Sequence, residues 1–125
     1  MADDVLFWKA RRALIDLKKP APAETLLQAG SRLAAEGYHV DALDFYKKAG
    51  NADKIAETAS QAVAEGDFFL FSLALQLLGR EPQAGELMEL AANARGRGLL
   101  SYEKKAMELL EKDSAAAPDG ADPGA

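Results

Sequence analysis

The chain has 125 residues, a mass of 13.3 kDa and a formal charge of -5 from 15 basic and 20 acidic side chains. That length fits one domain with a modest core, and the acidic balance offers no positive field to gather phosphate backbones, which argues against nucleic acid as a partner. Cysteine is absent, so disulfides, thiolate catalysis and Cys-ligated zinc are excluded, and the composition suits a reducing cytoplasm.

The opening stretch MADDVLFWKARR puts acids ahead of its apolar side chains and lacks the basic region and small-residue cleavage site of a secretory leader, so none is expected. A helix is expected over 4–18. At 100° per residue Leu6, Phe7, Ala10, Ala13, Leu14 and Leu17 form one apolar stripe, while Trp8 and Ile15 project from nearly the opposite side beside Arg11 and Arg12. The stripe serves a capping helix. Trp8 and Ile15 then have two readings: Trp8 folds over a neighbouring helix or the 19–22 linker, or the pair makes a second surface for a partner or another copy of the chain, with the aromatic anchor typical of interface hot spots. Residues 1–21 are read as this capping helix and its linker.

Further helices are expected at 22–36, with Pro22 in the first turn, at 39–49, at 52–65 after Asn51, at 67–78 capped by Asp67, at 82–95 opened by Pro82, and at 99–112. Proline near a start lacks a donor the first turn cannot use, and glycine past an end accepts the left-handed cap conformation. Glycines stand at 37, 50, 66, 79 and 96/98. Gly37 to Gly66 and Gly50 to Gly79 both span 29 residues, a period that marks stacked supersecondary units. Beyond Asp113 the sequence SAAAPDGADPGA holds no large apolar side chain, so residues 114–125 are expected to form a disordered tail.

Within the helix at 67–78 the run from Phe68 to Leu78 is nearly all apolar. A membrane span needs roughly 20 such residues. This run is too short and is interrupted by Ser72 and Gln76. It reads instead as a buried core helix with neighbours on several sides; the alternative is that one edge of it, Phe69 or Phe68, stays exposed and docks a partner or a second copy.

The segment LLQAGSRLAAEGYHVDALDFYKKAG carries Ala29-Gly30-x-x-Leu33, Gly37-Tyr38, Ala42-x-x-x-Tyr46 and Ala49. It resembles the tetratricopeptide repeat, whose signature runs L-G-x-x-Y and then A-x-x-x-F. Small residues at Gly30, Ala42 and Ala49 allow two helices to approach, and Leu33 and Tyr46 fill the space between them. A shift of 29 gives Ala59, Ala62, Gly66, Phe71, Leu75 and Leu78, and a looser third copy gives Ala91, Ala94, Gly98, Met107 and Leu110. The unit is shorter than the usual 34 or so residues, and Leu26 stands where the family often has Trp. The resemblance implies an all-α fold in which three antiparallel helical hairpins, residues 22–113, stack in a short right-handed solenoid, the tetratricopeptide-like superhelix.

The same resemblance implies that the first helix of each hairpin lines a concave face. Matching positions are Glu24, Gln28 and Ser31, then Asp53, Glu57 and Ser60, then Met88, Glu89 and Arg95. This groove is acidic, lacks the Lys/Asn clamp with which some family members hold acidic peptide termini, and suits a basic or amphipathic helical segment.

No reaction centre is legible. His39 is the only histidine and has no cysteine to share a metal with. The sequence GRG at 96–98 fits neither phosphate-loop spacing. Asp41/Asp44 and Glu86/Glu89 share helix faces as ordinary solvated acids do, and the basic pairs are dispersed among acids. The expectation is therefore a cytoplasmic protein-interaction module, an adaptor or scaffold, without cofactor, metal, nucleic acid or membrane. The alternative is an obligate homo-oligomer joined through Trp8/Ile15 and Phe68/Phe69.

Overall fold

The computed structural model describes the backbone of residues 22–121 and the side chains of 22–112. Six helices and no strands occur among the described residues: α1 (Ala23–Ala35), α2 (His39–Ala49), α3 (Ala52–Glu65), α4 (Phe68–Leu78), α5 (Ala84–Gly96) and α6 (Leu100–Ala121). The fold is all-α. The helix expected at 4–18, with Trp8 and Ile15, and the last four residues of the expected tail lie outside the described residues.

One device ends five of these helices. Gly37, Gly50, Gly66, Gly79 and Gly98 adopt φ between 70° and 92°, and the residue after each donates its N–H five residues back. The pairs are Tyr38 to Leu33, Asn51 to Tyr46, Asp67 to Ala62, Arg80 to Leu75 and Leu99 to Ala94, at 2.8 to 3.2 Å. Each glycine N–H reaches three residues back as well, which completes a Schellman motif and satisfies carbonyls that the helix end leaves bare. At two turns the next helix begins on a side-chain cap. Asn51 Oδ1 accepts from Lys54 N and Asp67 Oδ1 from Leu70 N, both at 3.0 Å.

Three expected boundaries are corrected. The fifth cap is Gly98, and Gly96 lies inside α5, so the glycine spacing after Gly79 is longer than the 13 and 16 before it. Helix α5 opens at Ala84, not at Pro82, because Glu86 accepts from the Gln83 backbone N–H at 3.0 Å and makes Gln83 the cap. The backbone of α6 stays helical to Ala121, past the end expected near 112. Ser114–Ala117 is alanine-rich, and alanine extends an established helix at the least cost of any residue.

The chain forms two compact units, Met1–Thr58 and Ala59–Ala125. In the first, α1 and α2 fold back on each other across a three-residue turn and enclose Leu26, Ala29 and Phe45, with Leu33 and Ala49 packed against them. Gly30 is buried there beneath Tyr46. Thr58, the one buried polar side chain among the described residues, donates to the Lys54 carbonyl at 2.9 Å. Its burial is therefore compensated.

In the second unit α6 packs on α5 and α4. Leu70, Phe71, Ala74 and Leu75 of α4, Leu87, Leu90, Ala91 and Ala94 of α5, and Ala106 of α6 are buried. Only one face of the apolar run is fully enclosed: Phe68, Leu73, Leu77 and Leu78 are half-buried, and Phe69 is 55% exposed. Burial repeats with the 29-residue period. Leu26 and Ile55, Gly30 and Ala59, Phe45 and Ala74, and Tyr46 and Leu75 are buried at both members of each pair. The looser copy holds at Ala91 and Ala94 but fails at Met107, which is exposed, because Ala106 takes the interior position and the next residue points 100° away.

Candidate functional site: an apolar groove on α5 and α6

Helix α5 presents Met88, Ala91, Ala92, Arg95 and Gly96 along one stripe, at the i, i+3, i+4, i+7 spacing that aligns side chains on a helix. Facing them, α6 presents Glu103, Met107 and Leu110 at i, i+4, i+7. Between the two stripes runs a groove of about 650 Å³. Its floor is made of small residues and its walls of two methionines, Met88 at 62% and Met107 at 46% exposure. Methionine is unbranched and polarizable, so such walls adapt to apolar side chains of differing shape. Arg95 and Glu103 supply one charge of each sign. The lining holds no histidine, hydroxyl or thiol, and among the described residues no three His, Cys, Asp or Glu side chains cluster to hold a metal ion.

The groove gathers two of the expected site residues, Met88 and Arg95. Glu89 is exposed on α5 but does not line it. On α1, Glu24 and Gln28 are exposed and Ser31 half-buried, on the stripe turned away from Leu26 and Phe45. On α3, Asp53, Glu57 and Ser60 are exposed, and Lys54 Nζ lies 3.4 Å from Glu57 Oε1. Sequence reasoning gave Met107 and Leu110 to the interior of the third hairpin and passed over Glu103. A usable signal was present, since the stripe Glu103, Met107, Leu110 precedes a segment without large apolar residues to cover it.

No protein-family model, curated protein or solved structure matches the chain. Its function is therefore argued from the groove and the surfaces themselves. Among the described residues no helix is long and apolar enough to cross a membrane.

An ion pair joins the loop before α5 to that helix. Arg80 and Glu86 meet in a two-pronged ion pair, Nη1 to Oε1 at 3.0 Å and Nη2 to Oε2 at 2.8 Å. The guanidinium's hydrogen bonds hold the Glu86 carboxyl below the usual carboxylate range, and the carboxylate in turn raises Arg80 above its ordinary value. Glu86 thus ties the loop to the first turn of α5, one helical position before the Leu87–Met88 pair.

Proposed function

We propose that the chain is a non-catalytic protein-interaction module, an adaptor or scaffold of tetratricopeptide-like hairpins stacked in series, that takes an amphipathic helical segment of another polypeptide onto the α5–α6 groove. The observation that carries this reading is the groove itself: two exposed methionines over an alanine and glycine floor. Amphipathic helices bind through apolar anchors at i, i+3 or i+4, and i+7 laid into such grooves. The 29-residue recurrence of buried positions supports the repeat reading. The absence of cysteine fits work in the cytoplasm.

Affinity capture from the native cell tests it. Partners held by the wild-type chain are expected to be lost with Met107→Asp and with Met88→Asp, and kept with Glu89→Ala, at unchanged helicity by circular dichroism. Equal capture by all four proteins would refute the groove as the docking site.

A further inference from the structure

We propose that the segment laid into the α5–α6 groove is residues 4–18 of a second copy of this chain, so that copies join head to tail; the proposal rests on reading the groove as a polypeptide-binding site. The groove needs an amphipathic helix about two turns long, because Met88 to Arg95 spans about 10 Å at 1.5 Å per residue. Residues 4–18 supply one from the sequence. Leu6, Phe7, Ala10, Ala13, Leu14 and Leu17 recur at i, i+3, i+4 and i+7 and cover about 17 Å of helix.

Charge selects the same pairing. Residues 1–21 contain five basic and three acidic side chains, a net +2, whereas residues 22–125 contain ten basic and seventeen acidic, a net -7. A segment of one sign meets a body of the other, and Lys9 and Arg11 flank the stripe while the groove is lined by Glu103 and, as its one cation, Arg95.

In this proposal the segment lies in trans, on a neighbour's groove. Pro22 sits at φ -59°, ψ 145°, the polyproline conformation, and the sequence before it, Lys19-Pro20-Ala21, is of the kind that acts as a semi-rigid spacer of about 3 Å per residue. The contact is heterologous, one surface against a different one, so each copy keeps a free segment at one end and a free groove at the other.

Light scattering on the full chain, read with two complementary variants, decides it. From about 5 to about 500 µM, the range in which a small apolar contact associates, the wild-type mass is expected to rise past twice that of the monomer without a plateau. Leu14→Asp, which spoils the segment, and Met107→Asp, which spoils the groove, are each expected to stay monomeric; Met88→Asp replaces the latter if circular dichroism shows it unfolded. An equal mixture of the Leu14 and Met107 variants restores one intact segment and one intact groove, and is expected to form a one-to-one dimer and nothing larger. A monomeric wild type, a plateau at the dimer, or a mixture that stays monomeric overturns the proposal. A monomeric wild type whose captured partner is still lost on Met107→Asp overturns self-docking alone, whereas capture indifferent to Met107→Asp overturns the groove as a binding site.

Discussion

Asn93 donates its side-chain Nδ2–H to the carbonyl oxygen of Val63 across 2.8 Å, a bond that joins the last turn of α3 to α5 over 30 residues of sequence. The Val63 carbonyl belongs to a helix end, where partners within the helix have run out, and Gly66 N–H reaches it at 3.2 Å. Asn93 is its second donor. Asn93→Ala therefore leaves the carbonyl half-satisfied rather than bare, and is expected to cost about 1 kcal/mol, the net worth of one hydrogen bond, in urea unfolding. A loss near zero would mean that water replaces the amide without penalty.

Close beside that bond, the α3–α4 turn lies almost on the backbone of α5. A Cβ added at Gly66 would stand 2.4 Å from Ala94 N and 2.5 Å from its Cα, while one at Gly50 meets nothing within 4 Å; the two glycines share φ near 70°. Gly50→Ala thus isolates the left-handed conformation, about 1–2 kcal/mol. Gly66→Ala adds overlap with main chain that no rotamer can relieve, and is expected to cost about 3 kcal/mol or more in total. Comparing the two urea midpoints is the check, and equal losses would refute the close approach of turn and helix.

How far the sequence reached follows from the kind of signal each feature leaves. Helices α2 and α3 begin and end where the glycines and Asn51 predicted, because caps are local and their residue types are few. The start of α5 was missed because the deciding contact is Glu86 returning to Gln83, a pairing that Pro82 overshadows in one dimension. Two glycines stand two apart at 96 and 98, and local pattern cannot say which takes the cap. The groove was half legible: Met88 and Arg95 followed from register on α5, but the outward turn of Met107 depends on how Ala106 seats against the rest of its unit, which is tertiary packing.

Glu86 gives stability a pH dependence whose sign is fixed. Its carboxyl is lowered in the folded state by Arg80 first, against an opposing desolvation and with help from the Gln83 N–H. A depressed carboxyl contributes stability that is fully present above its unfolded value, about 4.3, and that is lost as pH falls through the lower folded value. Both partners retain solvent contact, Arg80 at 40% and Glu86 at 25% exposure, so the pair is worth under about 1 kcal/mol. Wild type is expected to exceed Glu86→Gln by up to that amount at pH 6, with the gap closing toward pH 3 as the carboxylate is protonated, in urea unfolding followed at each pH. A gap that widens on acidification would reverse the assignment.

Gly30 poses the opposite problem from Gly66, because it sits inside a helix. Replacing it by alanine should gain about 1 kcal/mol of helix propensity. Yet the new methyl would lie 2.8 Å from Tyr46 Cε1, 3.0 Å from its Cδ1 and 3.2 Å from the Phe45 Cβ. Forcing an extra carbon into a packed core costs about 1–3 kcal/mol, and the Tyr46 ring, only 3% exposed, has little room to swing aside. Overlap wins, and Gly30→Ala is expected to destabilise the chain by about 1 kcal/mol net in urea unfolding. Tyr46→Leu removes the ring edge and leaves space where the methyl falls. In that background the same Gly30→Ala change is expected to be neutral or stabilising, a coupling between contacting side chains that a double-mutant cycle reads directly. If the cost of Gly30→Ala is the same in both backgrounds, the ring of Tyr46 is not what requires a residue without a side chain at position 30.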